Sequence, residues 1–289
     1  MLIISRRRFL PALIFILCIV IGIGFVLSRR AGQEDQAPDE VPGEILNEAP
    51  VETQDKTLDE ISDEIPYKDE VTERVATEPG IKMPVFYVDT KENAVALTFD
   101  ISWGEQQVLG VLDILREENV KSTFFLSGPW AKRYPHLAQE IERAGHDIGS
   151  HGDAHVDLSN YSRAEIAENI STAHDDLLAS AGRVSPYFRP PNGDYNTVVL
   201  DTARSLGYET VIWAVDSLDW KNPGVDFMVD RVLKRVFPGA IILMHASDSS
   251  KQIQDALPLV IGALRKEGFR LIPLSELSKL GPFVRWDPR

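Results

Sequence analysis

Cysteine is nearly missing: Cys18 is the only one in 289 residues. No intrachain disulfide can form, and because Cys18 lies inside an apolar run, no thiol nucleophile is left for an aqueous site. Clustered Lys and Arg are also missing, except where they flank that same run, which argues against a phosphate-binding surface for nucleic acid. Residues 31–80 are poor in bases and aromatics, with 16 Asp and Glu against Lys56, Lys68 and Arg74. Such a segment cannot bury enough surface to offset the entropy of ordering, so it reads as an acidic disordered linker. The first 30 residues carry five Arg and no acid. Of the net charge of −14, only −6 is therefore left for residues 81–289, and the acidity belongs to the linker and not to the folded part.

The apolar run is FLPALIFILCIVIGIGFVL, Phe9 to Leu27, 19 residues without a charge. It is long enough to cross a bilayer core. A cleavable signal peptide is the rival reading, but Ser28-Arg29-Arg30 follows where a small-residue cleavage site is expected. SRRRFL also resembles a twin-arginine export signal. Arg6, Arg7 and Arg8 before the run outnumber Arg29 and Arg30 after it, which favours a cytoplasmic N-terminus and an extracytoplasmic remainder. The expected organisation is a stub and signal-anchor over 1–30, a linker over 31–80 and one catalytic domain over 81–289. The expected location is the cell membrane by a single span, with secretion as the alternative.

From Ala94 short apolar runs alternate with amphipathic segments. Seven strand candidates stand out: AVALTFD, STFFLSG, HDIGSH, PYFRPP, TVIWAVD, AIILMH and FRLIPL. Helices are expected between them, including QQVLGVLDILREEN with its apolar face at Val108, Val111, Leu112 and Leu115, and WAKRYPHLAQEIERAG. Ser162 with Glu165 forms a capping box for RAEIAENISTAHDDLLAS. This alternation implies an α/β fold with parallel strands and right-handed crossovers, as an open sheet or a barrel.

In both architectures chemistry gathers beyond the carboxyl ends of the strands. Those positions hold Asp100, then His151 with His155, Arg189, Asp216 with Asp219 and Trp220, and His245. Each has a plainer explanation. Asp100 could cap the following turn, Arg189 could serve a structural ion pair, and His245 could be a core histidine bonded to backbone. His151 and His155, four apart, reach one divalent ion if the segment turns helically. His136, His146 and His174 fall in helices or at a helix end, where exposure to solvent is expected.

Five short motifs recur in order: TFDISWG, HGDAH, RPPNG, DSLDW and LMH. Together they resemble the NodB-type polysaccharide deacetylases, carbohydrate esterase family four, over about residues 94 to 275, whose patterns are T-F-D-D-G, H-x-x-x-H, R-x-P-x-G, D-x-x-D-W and L-x-H. The resemblance implies a distorted (β/α) barrel with about seven parallel strands. It also implies hydrolysis of N-acetyl groups from a glycan such as peptidoglycan or chitin. By the same resemblance Asp100 is the base, Arg189 orients it, His245 is the acid and Asp219 keeps that imidazole charged. His151 and His155 would hold a divalent metal ion such as zinc, and Trp220, Leu243, Asn192 and Tyr195 would contact substrate. Ile101 stands where the family has its third ligand, an aspartate. A two-histidine site, recruitment of Asp153 and a metal-free site are all left open by that replacement. The altered first motif also resembles that of the sporulation-associated branch, near which the chain is expected to lie. The rival function is a tethered glycan-binding or scaffolding module on an inactive deacetylase fold.

The topological reading is testable directly. Protease added to intact cells with permeable walls should release a soluble domain beginning near residue 80, and protection of the whole chain would overturn it.

Overall fold

The structure, a computed structural model, describes residues 82–289. The membrane anchor and the linker expected upstream lie outside the described residues. Among the described residues, no helix is long and apolar enough to cross a membrane.

The element order is β1 (Tyr87–Val88), β2 (Ala94–Ile101), α1 (Gln106–Glu117), β3 (Thr123–Leu126), α2 (Gly128–Arg133), α3 (Pro135–Arg143), β4 (Asp147–Ser150), α4 (Arg163–Ala181) and β5 (Tyr187–Phe188). It continues with α5 (Thr197–Ser205), β6 (Glu209–Thr210), β7 (Val215–Asp216), α6 (Val225–Arg235), β8 (Ile241–His245), α7 (Ile253–Lys266), β9 (Arg270–Leu271), α8 (Leu274–Leu277) and β10 (Phe283–Val284). The main sheet runs β6-β5-β4-β3-β2-β8-β7, with β9 paired to β2, and every pairing in it is parallel. The sheet curls into the distorted (β/α) barrel expected from the sequence.

The distortion sits in TVIWAVD. The sequence pattern predicts one strand there, whereas the chain pairs with β5 through β6, leaves the sheet, and rejoins it against β8 through β7. The two edges of the sheet are thus the two ends of one segment. Val211 N–H reaches Phe188 O at 2.8 Å and Ala214 N–H reaches Ile241 O at 2.9 Å, while Ile212 N–H turns to Val85 O at 2.7 Å. The barrel closes by chain connectivity where ladder hydrogen bonds stop.

β2 is buried on both faces along its whole length, as a central parallel strand must be. Alternation divides its side chains. Val95, Leu97, Phe99 and Ile101 join the core shared with Val108, Val111, Leu112 and Leu115 of α1 and Ile253, Leu257 and Ile261 of α7. Ala94 and Ala96 join a second core with Phe125, Phe188, Ile212 and Leu243. Asp100 lies on this second face, one step of alternation away from Ile101.

The four α1 positions read from the sequence are the four that it buries, and the Ser162–Glu165 capping box is formed. Elsewhere the expectations need correction. WAKRYPHLAQEIERAG is two helices, because Pro135 removes an N–H and forces Tyr134 out of the helical region, to φ −124 and ψ 57. A short antiparallel pair, β1 with β10, brings the C-terminal segment back beside the barrel. His136 is exposed, but His174 is half-buried, 2.7 Å from the Tyr208 hydroxyl.

His146 is not a surface residue either: it is buried, lies edge-on to Phe124, and accepts the Ser122 N–H through Nδ1 at 3.1 Å. Burial, helped by the charge of Lys121, pushes its pKa down from 6.5 to about 4. The unfolded chain therefore takes up the proton first, and this stability is complete above about pH 6.5 and lost as pH falls toward 4. The loss is roughly 3 kcal/mol at one pKa unit per 1.4 kcal/mol. His146→Asn, which keeps an acceptor for Ser122 but cannot titrate, should show a shallower decline in melting temperature between pH 6.5 and 4.5 than the parent. Equal slopes would place the acid sensitivity elsewhere.

Candidate functional site

The register puts the functional side chains at one level. Asp100 on β2 pairs with His245 on β8 and with Phe125 on β3. Asp216 on β7 pairs with Leu243, and Ser150 on β4, which precedes His151, pairs with Phe188, which precedes Arg189. The carboxyl ends open into a cavity of about 380 Å³, lined by Asp100, His151, His155, Asp216, Leu243 and His245 among others.

Arg189 is fully buried behind Asp100. Its Nη1 donates to Asp100 Oδ1 at 2.7 Å, Nη2 to Ile212 O at 3.0 Å and Nε to Val211 O at 3.4 Å, and the guanidinium lies 4.1 Å from the centre of the Phe125 ring. Burial alone would push the Asp100 carboxyl up, but the charges of Arg189, His151 and His245 and the Arg189 hydrogen bond outweigh it. Asp100 is held below the usual carboxylate range and is ionised, with Oδ2 left toward the cavity.

His245 is held by Asp219, which is completely buried. Asp219 Oδ1 sits 2.8 Å from His245 Nδ1, and Oδ2 accepts the His245 backbone N–H at 2.7 Å and the Ser250 hydroxyl at 2.8 Å. Burial by itself would push His245 down; the Asp219 charge and hydrogen bond, aided by Asp100 and Asp216, raise it to about 9. The ring is therefore an imidazolium at neutral pH. Nδ1–H is committed to Asp219, which leaves Nε2–H to donate. Asp216, whose Oδ1 accepts the Leu218 N–H at 2.8 Å, is raised by burial.

His151 Nδ1 lies 2.8 Å from Arg189 O. A carbonyl only accepts, so Nδ1 carries the proton and Nε2 presents a lone pair, 3.8 Å from Asp100 Oδ2. Burial pushes His151 down to about 4, and His155, at 5.3 Å between ring centroids, is lowered by burial as well. Two neutral imidazoles thus face each other, the state in which histidine ligates metal. Among the described residues neither position 101 nor Asp153 adds a donor to them. Ile101 is completely buried in the helix-facing core and does not line the cavity. Asp153 does not line it either; burial and the neighbouring Asp176 raise its carboxyl, and Lys132 opposes them. Among the described residues no group of three His, Cys, Asp or Glu could hold a metal ion. The donor set does not complete the three-ligand zinc face that the motif resemblance implies, because the alkyl side chain of Ile101 has no donor atom and is packed in the core against the helices.

Trp220, Leu243 and Asn192 line the cavity. Tyr195 does not: it is 3 % exposed and packed in the interior core. Trp103, Trp213, Ser102, Ser247, Ser249 and Arg289 line it without having been singled out in the sequence. For Trp103 a signal existed, an aromatic inside the first motif. For Arg289 none did, since it arrives from the far end of the chain through the β1–β10 pair.

The family model described as polysaccharide deacetylase matches residues 87–211. The chain is 32 % identical over 203 residues to the peptidoglycan-N-acetylmuramic acid deacetylase PdaA of Bacillus subtilis (strain 168), covering 68 % of this chain and 76 % of that protein. It is 32 % identical to YlxY, an uncharacterized protein of the same organism, over 67 % of this chain and only 60 % of YlxY. Among solved structures it is similar to a CE4 family pseudoenzyme from Bacillus anthracis, with a TM-score of 0.64, 31 % identity and coverage of 67 % and 68 %.

The placement of Ile101 gives a test. Ile101→Asp puts a carboxylate among apolar side chains and should cost roughly 3 kcal/mol or more, seen as a lowered melting temperature that zinc does not restore. A zinc-dependent rise in Ile101→Asp, absent from the parent and abolished by His151→Ala, would show instead that position 101 reaches the histidines.

Proposed function

The chain belongs to the polysaccharide deacetylase family, and on that premise we propose that its folded domain hydrolyses N-acetyl groups on a cell-wall glycan of the peptidoglycan or chitin type. The observation that carries this reading is the pair of opposed dyads. An ionised Asp100 backed by Arg189 and a protonated His245 backed by Asp219 sit on adjacent strands at the same register, at the end of one cavity.

Amide hydrolysis needs a base for water and an acid for the departing nitrogen. In this reading Asp100 Oδ2 takes a proton from water as its oxygen adds to the acetyl carbonyl. When the C–N bond breaks, His245 Nε2–H gives the nitrogen its proton, and acetate and a free amino sugar leave. Arg189 prevents Asp100 from protonating at rest, and Asp219 prevents His245 from losing its proton. Trp220 and Leu243 wall the space that the acetyl group fills.

The same reading places the domain outside the cytoplasmic membrane, held by Phe9 to Leu27, and near the sporulation-associated branch; the apolar run and the altered first motif support it. One observation favours a second reading. The incomplete ligand set at Ile101, together with similarity to a protein described as a pseudoenzyme, fits a glycan-binding module with little or no turnover. A mutant of that protein has restored enzymatic activity, so activity can be regained on this fold.

Hydrolysis of acetylated chitooligosaccharides and peptidoglycan separates the readings. Asp100→Asn and His245→Ala should each lower turnover by about 100- to 10,000-fold with the fold intact. In the parent enzyme the rate should fall as pH rises through about 9, where His245 loses its proton. Glycan binding without acetate release in the parent protein would establish the binding module.

A further inference from the structure

We propose that Trp103 is a stacking platform for a second sugar, so that the site takes a chain of at least two hexosamine units and not a single sugar; this rests on the glycan reading above. Trp103 is 48 % exposed, although the loop that carries it is held from several sides. Ser102 N–H donates to Ser247 Oγ at 3.0 Å, Trp103 O accepts Asp248 N–H at 3.3 Å, and Gly104 O accepts the Trp130 indole N–H at 2.7 Å. Asp248 also takes the N–H groups of Glu105, Gln106 and Gln107 at 3.3, 2.9 and 3.0 Å, capping α1 from a loop more than 140 residues away. Gly104 has φ +79, and a Cβ there would fall 2.1 Å from Asp248 Cγ, so the turn that displays the indole admits only glycine.

A fold that fixes a loop this firmly can bury a tryptophan; here it leaves the ring out. Eight large hydrophobic side chains are exposed among the described residues, and only Trp103 and Trp220 of these line the cavity. Exposed aromatic surface joined to a site marks a binding surface. Pyranose rings offer apolar C–H faces with hydroxyls at their edges, which suits a flat indole whose position is already set and costs little ordering on binding. The cavity, about 380 Å³, is near the lower end of small-molecule sites and suits one acetylated sugar. The next unit of the chain must then lie on the rim. Trp103 stands there beside His155, at 5.5 Å between ring centroids.

The test is calorimetric binding of N-acetylglucosamine and its β-1,4 oligomers of two to four units to the full chain, in the parent, Trp103→Ala and Trp103→Phe. In the parent, affinity should rise steeply from one unit to two or three. Trp103→Ala should lose on the order of 10-fold or more for the oligomers beyond any change for the monosaccharide, and Trp103→Phe should recover part of the loss, with melting temperatures unchanged. Parent-like oligomer affinity in Trp103→Ala, or length-independent binding in the parent, overturns the platform. Acetate release measured on the same oligomers judges the deacetylase reading separately: length-dependent binding with no release leaves the platform standing and removes the catalysis.

Discussion

One buried guanidinium joins the shape of this barrel to its chemistry. Where the chain leaves the sheet between β6 and β7, the carbonyls of Val211 and Ile212 have no ladder partner, and Arg189 donates to both. A third donor, on Nη1, goes to Asp100. An unpaired guanidinium at this depth is costly, so the closed barrel favours an ionised Asp100. Removing one partner of such a buried pair commonly costs about 3–5 kcal/mol. Closure of the sheet and readiness of the base are therefore coupled through one side chain, and the fold favours the charge state that the proposed reaction needs. Ring contacts with Phe125 and Trp213 complete the housing of the cation.

The neighbouring strand β8 applies the same device with the charges exchanged. Asp219 is completely buried, accepts four hydrogen bonds, from the backbone of Trp220 and His245, the Ser250 hydroxyl and His245 Nδ1, and raises that imidazole to about 9. Each reacting group thus has a buried partner of opposite charge, and the two reacting groups lower one another's cost across the cavity: His245 helps to hold Asp100 down, and Asp100 helps to hold His245 up. His151, beside Asp100, stays neutral because burial outweighs the attraction of that carboxylate. Acid and base coexist at neutral pH because their environments differ in sign, which is the general route by which one pocket runs both steps.

Much of this was legible in the sequence because strand ends are easy to find. Asp100, Arg189, Asp219 and His245 each follow a short apolar run, and parallel topology brings such ends together. The misses have local physical causes. TVIWAVD has the composition of one strand, and nothing in its pattern reveals that its two halves pair with different neighbours. Pro135 did announce the break between α2 and α3. Tyr195 falls close behind a cavity residue in sequence, yet three residues after Asn192 its ring points into the core. His146 follows a helix, a place where exposure is usual, and is buried because β3 and Phe124 lie against it. Arg289 reaches the cavity through a contact between chain ends that no local pattern encodes.

Ile101 shows how far the argument from alternation can be carried. On β2 the side chains of Ala94, Ala96 and Asp100 share one face, and those of Val95, Leu97, Phe99 and Ile101 share the other. An aspartate at 101 would have to turn away from the helices to reach His151 and His155, and would vacate a well-packed place in the core. Isoleucine keeps the strand regular to its last residue, since Ile101 O still accepts the Ser127 N–H at 3.0 Å and the side chain remains among its apolar neighbours. The close packing at the strand end and the lack of a donor atom at the cavity are two consequences of having isoleucine at 101. Neither touches Arg189–Asp100 or Asp219–His245, which are built from the other face of β2 and from β5, β7 and β8. The replacement can therefore change how the site handles a metal ion while leaving its acid and base where the barrel put them.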